Sequence, residues 1–149
     1  MLAPDESAPF CAWSDDYLVG IQRMDKQHNA LLSTLNTLHN ILMSHGAHAL
    51  IDKTLSDLVH QTRVHFHTEE EFMKVHGYPD YQDHKELHNI LLCQLEGVLE
   101  TQQELESHHI QQSWAEKLDL ADFLRAWFIS HIIDADKKLG TFLKSKKVE

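Results

Sequence analysis

Apolar positions recur along this chain in steps of three and four, as they do in helices that bury one face against neighbours. One seam runs Ile21, Met24, His28, Leu31, Leu35, Leu38, Leu42, and a second Ile51, Leu55, Leu58, Thr62, His65, Glu69, Phe72, His76. A third runs Tyr81, His84, His88, Leu91, Leu95, Val98, Gln102, Leu105. The fourth is Leu120, Leu124, Trp127, His131, Ala135, continuing near Leu139 and Phe142. The punctuation agrees with this division. Gly46 supplies a stop after the first seam, Gly77 and Pro79 after the second, and Asp80 stands ready to cap the third. The polar stretch Glu106–Gln112 is the next break, and Ser113-Trp114-Ala115-Glu116 has the form of a capping box. Lysines at 137, 138, 144, 146 and 147 suit the negative end of a last helix. Four helices of roughly 25–30 residues would each be about 40 Å long, and short connections make neighbours antiparallel. The expected fold is all-α: an up-down-up-down antiparallel four-helix bundle over residues 20–145, forming one domain. An extended arm over residues 1–19, with Pro4 and Pro9, precedes it and is expected to be tied down by Phe10 and Trp13.

Six seam positions break the apolar rule: His28, His65, Glu69, His84, His88 and His131. A buried imidazole or carboxylate is costly unless it is paired, hydrogen-bonded or bound to metal. One alone would read as a satisfied core histidine. Six that meet in space would not, and antiparallel topology brings them together. His28 and the His84/His88 pair lie near helix starts, while the His65/Glu69 pair and His131 lie near helix ends. All four regions share one end of the bundle, each about 7–15 Å in from it. His65/Glu69 and His84/His88 are spaced i,i+4, so each pair projects from one face. The same rule selects Glu69 over its neighbours Glu70 and Glu71, and turns His67 away from the site. Asp136 follows His131 by five, which in a regular α-helix rotates it roughly 140° away. A π-type turn between them would bring it back, and that distortion is expected.

Composition sharpens the picture. The chain has 149 residues, 42% hydrophobic and 24% charged, with only 5 Gly and 3 Pro but 13 His. Thirteen histidines call for explanation, because imidazole is the commonest metal ligand. The eight outside the seam cluster (His39, His45, His48, His60, His67, His76, His108 and His109) are expected mostly at the surface. A net charge of −10 argues against nucleic acid or anionic lipid as partner. Cys11 and Cys93 are two lone thiols, unlike a secreted disulfide framework. The acidic first twenty residues hold no apolar run, and nothing approaches a membrane span. The expectation is a soluble cytoplasmic protein, monomeric by default.

The ordered pieces Gly20-Ile21 with Met24-Asp25-Lys26-Gln27-His28, His65-Phe66-x-x-Glu69-Glu70-x-x-Met73, Gly77-Tyr78-Pro79, His84-x-x-x-His88 and Trp127-x-x-x-His131-Ile132-x-x-x-Asp136 resemble the bacterial hemerythrins from about Trp13 to Leu143. The resemblance implies two non-haem iron ions joined by an oxo or hydroxo bridge. His84, His88 and His131 would hold one, His28 and His65 the other, and Glu69 and Asp136 would bridge them. Independently, imidazole and carboxylate donors without thiolate suit iron or manganese better than structural zinc. Of about twelve positions on two octahedral metals, one is left open, on the iron with two imidazoles. The resemblance implies reversible O2 binding there. Leu31, Leu32, Phe66, Trp127, Phe128 and Ile132 are candidates to wall off that pocket from water. Two positions depart from the family pattern: Phe128 where Leu is usual, and Leu91 where Phe is frequent. The pair is read as a volume exchange that reshapes the O2 pocket.

The function expected is therefore an oxygen carrier, store or delivery protein rather than an enzyme, with an oxygen-consuming enzyme or redox partner as the conceivable recipient. The alternatives are an O2 or redox sensor, and a di-iron oxidase or peroxide-handling protein on the same scaffold. Ferritin-like oxidases use more carboxylates and Glu-x-x-His pairs, which this chain lacks. The chain ends soon after its last helix, so a sensor would need a separate output partner.

Overall fold

The computed structural model describes residues 10–44 and 48–149, excepting the His48 side chain. Helix α1 spans Gln22–Met43, α2 His48–His76, α3 Tyr81–Ser107 and α4 Trp114–His131. A π-helical segment, Ile132–Asp136, then leads without a break into α5, Lys137–Ser145. The four-helix bundle is as expected, with α4, the π segment and α5 together making the fourth rod. Among the described residues there is no strand, and no helix is long and apolar enough to cross a membrane. Helix α1 packs on α2, α2 on α3 and α4 on α1, whereas α3 and α4 meet only lightly.

Local chemistry sets the ends. Gly20, at φ +87°, turns the arm into α1, and the Asp25 carboxylate accepts the backbone N–H groups of Val19 (2.9 Å) and Gly20 (3.2 Å). Helix α2 closes in a Schellman motif: Tyr78 N–H donates to Met73 C=O (2.9 Å) and Gly77 N–H to Lys74 C=O (3.4 Å), with Gly77 at φ +67°. Asp80 sits at the start of α3 but its side chain makes no capping bond. Ser113 does cap α4, its hydroxyl accepting Glu116 N–H at 3.2 Å. The stop expected at Gly46 lies outside the described residues, as do residues 1–9 of the arm. The described part of the arm is pinned. Cys11 is buried, its N–H and C=O both bonded to the Asn36 amide (2.7 and 2.8 Å), and Phe10 stacks on His39 at 4.0 Å.

The core falls into two apolar clusters. The larger runs along the bundle and includes Leu31, Leu32, Leu35, Leu58, Phe66, Leu95, Trp127, Phe128 and Ile132. The smaller, Val19, Ile21, Met24, Met73, Tyr78, Leu139 and Leu143, closes one end. The π segment delivers Asp136 between them.

Candidate metal centre

All seven expected ligands are buried: His28, Glu69 and Asp136 at 0% exposure, His65 and His88 at 1%, His84 at 6% and His131 at 8%. Six of them occupy seam positions, and the seventh, Asp136, follows the fourth seam. The wide turn does what the His131/Asp136 interval requires, with Lys137 N–H donating to Ile132 C=O across five residues. Asp136 thereby returns to the face that carries His131.

The donors sort into two groups. Glu69, His84, His88, His131 and Asp136 each offer an atom within 4.8 Å of the others, and so do His28, His65, Glu69 and Asp136. The carboxylate oxygens divide between them. Glu69 Oε2 lies 3.0 Å from the Nε2 atoms of both His84 and His88, while Glu69 Oε1 faces His65 and, at 3.6 Å, His28. Asp136 Oδ1 lies 2.8 Å from His131 Nε2 and 3.3 Å from His84 Nε2, while Oδ2 lies 2.8 Å from His28 Nε2 and 3.5 Å from His65 Nε2. Each carboxylate thus gives one oxygen to a three-imidazole group and the other to a two-imidazole group.

Hydrogen bonding cannot satisfy this arrangement. His28 Nε2 and His65 Nε2 stand 2.9 Å apart. Glu69 Oε1, Asp136 Oδ1 and both nitrogens of His131 are buried without a hydrogen bond, although His131 Nε2 is near Asp136 Oδ1. Among the described residues, no lysine or arginine pairs with either carboxylate. Two fully buried negative charges need two positive ones. Without a cation, protons have to serve. Burial and the Asp136 charge push Glu69 up, but His65 and His28 outweigh them and hold its carboxyl well below the usual range. Asp136, also pushed up by burial, is held low by His131, His28 and His65. In return, and against burial, His65 is pushed up to about 10 by Glu69 and Asp136, and His84 to about 9 by Asp136 and Glu69. His28 shifts the same way, while burial takes His88 down. Metal ions would replace these protons and engage the orphaned atoms, so the donor set fits a pair of cations.

Two supporting residues escaped the sequence reading. Glu70, set aside there as a neighbour of Glu69, accepts from His88 Nδ1 (3.1 Å) and from Lys85 (2.6 Å). Gln27 Oε1 accepts from His65 Nδ1 (2.7 Å), and its amide N–H donates to Thr68 Oγ1 (3.0 Å). Both fix a ring so that Nε2 faces inward. A carboxylate or amide one position from a ligand was the available signal. The apolar candidates surround the cluster. Phe66 stacks on His88 at 3.9 Å, and Phe128 meets His28 edge-on at 6.4 Å. Leu31, Leu32 and Ile132 are buried in the larger cluster, and the Trp127 indole N–H donates to Leu91 C=O at 3.2 Å. Phe128 therefore stands on the two-imidazole side, whereas Leu91 lines a cleft beside His131 on the other. Of the remaining histidines, His60, His67, His108 and His109 are exposed; His39 and His76 are half-buried.

The family model described as Hemerythrin HHE cation binding domain matches residues 19–143. A bacteriohemerythrin of Methylococcus capsulatus is 31% identical over 121 residues, covering 81% of this chain and 86% of its own. One from Stenotrophomonas maltophilia is 26% identical over 135 residues, covering 89% and 81%, and a myohemerythrin of Theromyzon tessulatum 26% over 126, covering 85% and 88%. The crystal structure of a wild-type hemerythrin superposes with a TM-score of 0.76 at 26% identity, covering 90% of this chain and 98% of the other. With its family signature spanning the whole bundle and its histidines and carboxylates gathered at one level, the chain belongs to the hemerythrin family.

Proposed function

We propose that this chain holds two non-haem iron ions and binds O2 reversibly, as a carrier or store and not as an enzyme. His84, His88 and His131 would hold one ion, His28 and His65 the other, and Glu69 and Asp136 would bridge them, with an oxo or hydroxo group as the further bridge. The observation that carries this is the split of each buried carboxylate between the two imidazole groups. The iron pair would supply the two electrons that binding O2 draws on and releasing it returns.

The chain's own residues make that use reversible. Glu70 and Gln27 keep the rings of His88 and His65 oriented. The two-imidazole group has one donor fewer than its partner, which leaves room there for an incoming ligand. Phe128, packed on His28, and the buried Leu31, Phe66, Trp127 and Ile132 keep bulk water away. A site rich in nitrogen and poor in carboxylate favours carrying over oxidising.

The test is direct. Metal-free protein is loaded anaerobically with ferrous iron and exposed to O2 while the absorption spectrum is recorded. A visible band that disappears when O2 is removed, over several cycles, is the expected result. Irreversible conversion on the first exposure would overturn the carrier reading in favour of an oxidase or redox sensor.

A further inference from the structure

Four of the five imidazoles have their outer nitrogens enclosed by the fold. Those of His65 and His88 donate to Gln27 and Glu70, and those of His28 and His131 are buried. His84 differs. Its Nε2 faces Glu69 and Asp136 at 3.0 and 3.3 Å, the residue is only 6% exposed, and its Nδ1 makes no hydrogen bond among the described residues. His84 also lines a surface cavity of about 280 Å³. Around that cavity stand Asp80 and Asp83 from the start of α3 and Asp134 from the π segment, against a single ammonium, Lys138. Asp80 and Asp83 have no ion-pair partner among the described residues, and Asp134 accepts only from the Ser130 hydroxyl, at 3.3 Å.

We infer that this cavity is the entry vestibule for ferrous iron, with Asp80, Asp83 and Asp134 capturing the hydrated cation and His84 forming the inner door to the centre. This rests on the two-iron reading above. The order of donors is chemically graded. Carboxylate oxygens and water suit the hydrated ion outside, and imidazole nitrogen suits it within. Passage is a ligand exchange in which water and aspartate oxygens give way to nitrogen and bridging carboxylate, and no electron moves. Three carboxylates around a concave mouth also raise the local concentration of a divalent cation.

Uptake kinetics test this separately from O2 chemistry. Metal-free protein is mixed anaerobically with ferrous iron, and the metal still free at set times is trapped with a chromogenic chelator. The combined variant D80N, D83N and D134N, in which Asn keeps the capping position of residue 80 serviceable, is expected to load roughly tenfold more slowly. It should show a weaker salt dependence, still reach two irons per chain and keep its helical circular dichroism. A control with the same change in net charge at the far end of the bundle, E100Q, E104Q and D119N, is expected to load at the wild-type rate. An unchanged rate in the first variant, equal slowing in the control, or a lower final stoichiometry overturns the vestibule. Failure of the wild-type protein to take up any iron would instead overturn the two-iron reading and the vestibule with it.

Discussion

Glu70 shows how much a ligand depends on what stands behind it. Its carboxylate, 14% exposed, is held below the usual range, against burial, by Lys85 and His88. Glu70→Gln removes that charge while keeping the shape. Its iron affinity, measured by chelator competition, is expected to fall about 10–100-fold with helicity unchanged. The ligands themselves set a pH dependence in the metal-free protein. His65 and His84 are raised from 6.5 to about 10 and about 9. Their stabilisation is fully present below about pH 6.5 and is lost as pH rises through 9 and 10. Glu69 and Asp136, lowered from 4.5 and 3.8, contribute above those values and lose their share as pH falls below them. Thermal melts of metal-free protein should therefore be highest near pH 5–6.5 and decline toward pH 10, and iron loading should flatten the alkaline decline. At this scale the sequence was legible where helical spacing decides, as with Glu69 chosen over Glu70. It was not legible where a contact crosses helices, as between Glu70 and His88, eighteen residues apart.

The π segment was legible because His131 and Asp136 could not otherwise share a face. It accommodates one residue more than an α-helix would need, since an α-helical i,i+4 pair also shares a face. Deleting the partly exposed Ile133 is expected to convert the segment to regular α-helix while retaining two irons per chain and the register of α5. Iron stoichiometry checks this. The end of α3 was legible only as a polar break. The structure adds a Schellman closure in which Ile110 N–H donates to Leu105 C=O (2.9 Å) and His109 adopts φ +55°. A side chain in that left-handed conformation is disfavoured, so His109→Gly is expected to raise stability by about 1 kcal/mol, seen as a higher melting temperature. The short 3-10 turn Asp15–Tyr17, capped by Ser14, escaped the reading of the arm as extended, because three residues carry no periodicity.

For the molecule as a whole, the polar centre divides the apolar core, and the small cluster that closes one end depends on the arm lying tight against α5. Gly140 permits this. A Cβ there would come within 2.4 Å of Val19 O. Gly140→Ala should destabilise the fold by about 1–3 kcal/mol in denaturant titrations, a close approach that no sequence pattern announces. The unequal packing of the helices has another result. Between the lightly touching α3 and α4 lies a cavity of about 320 Å³ lined by Leu91, Phe123, Trp127 and His131. The apolar side chains of that cleft offer inert gas a surface to bind. Pressurised xenon should settle beside the Trp127 indole and alter its fluorescence, making that tryptophan an optical gauge of how freely small gases permeate the bundle wall.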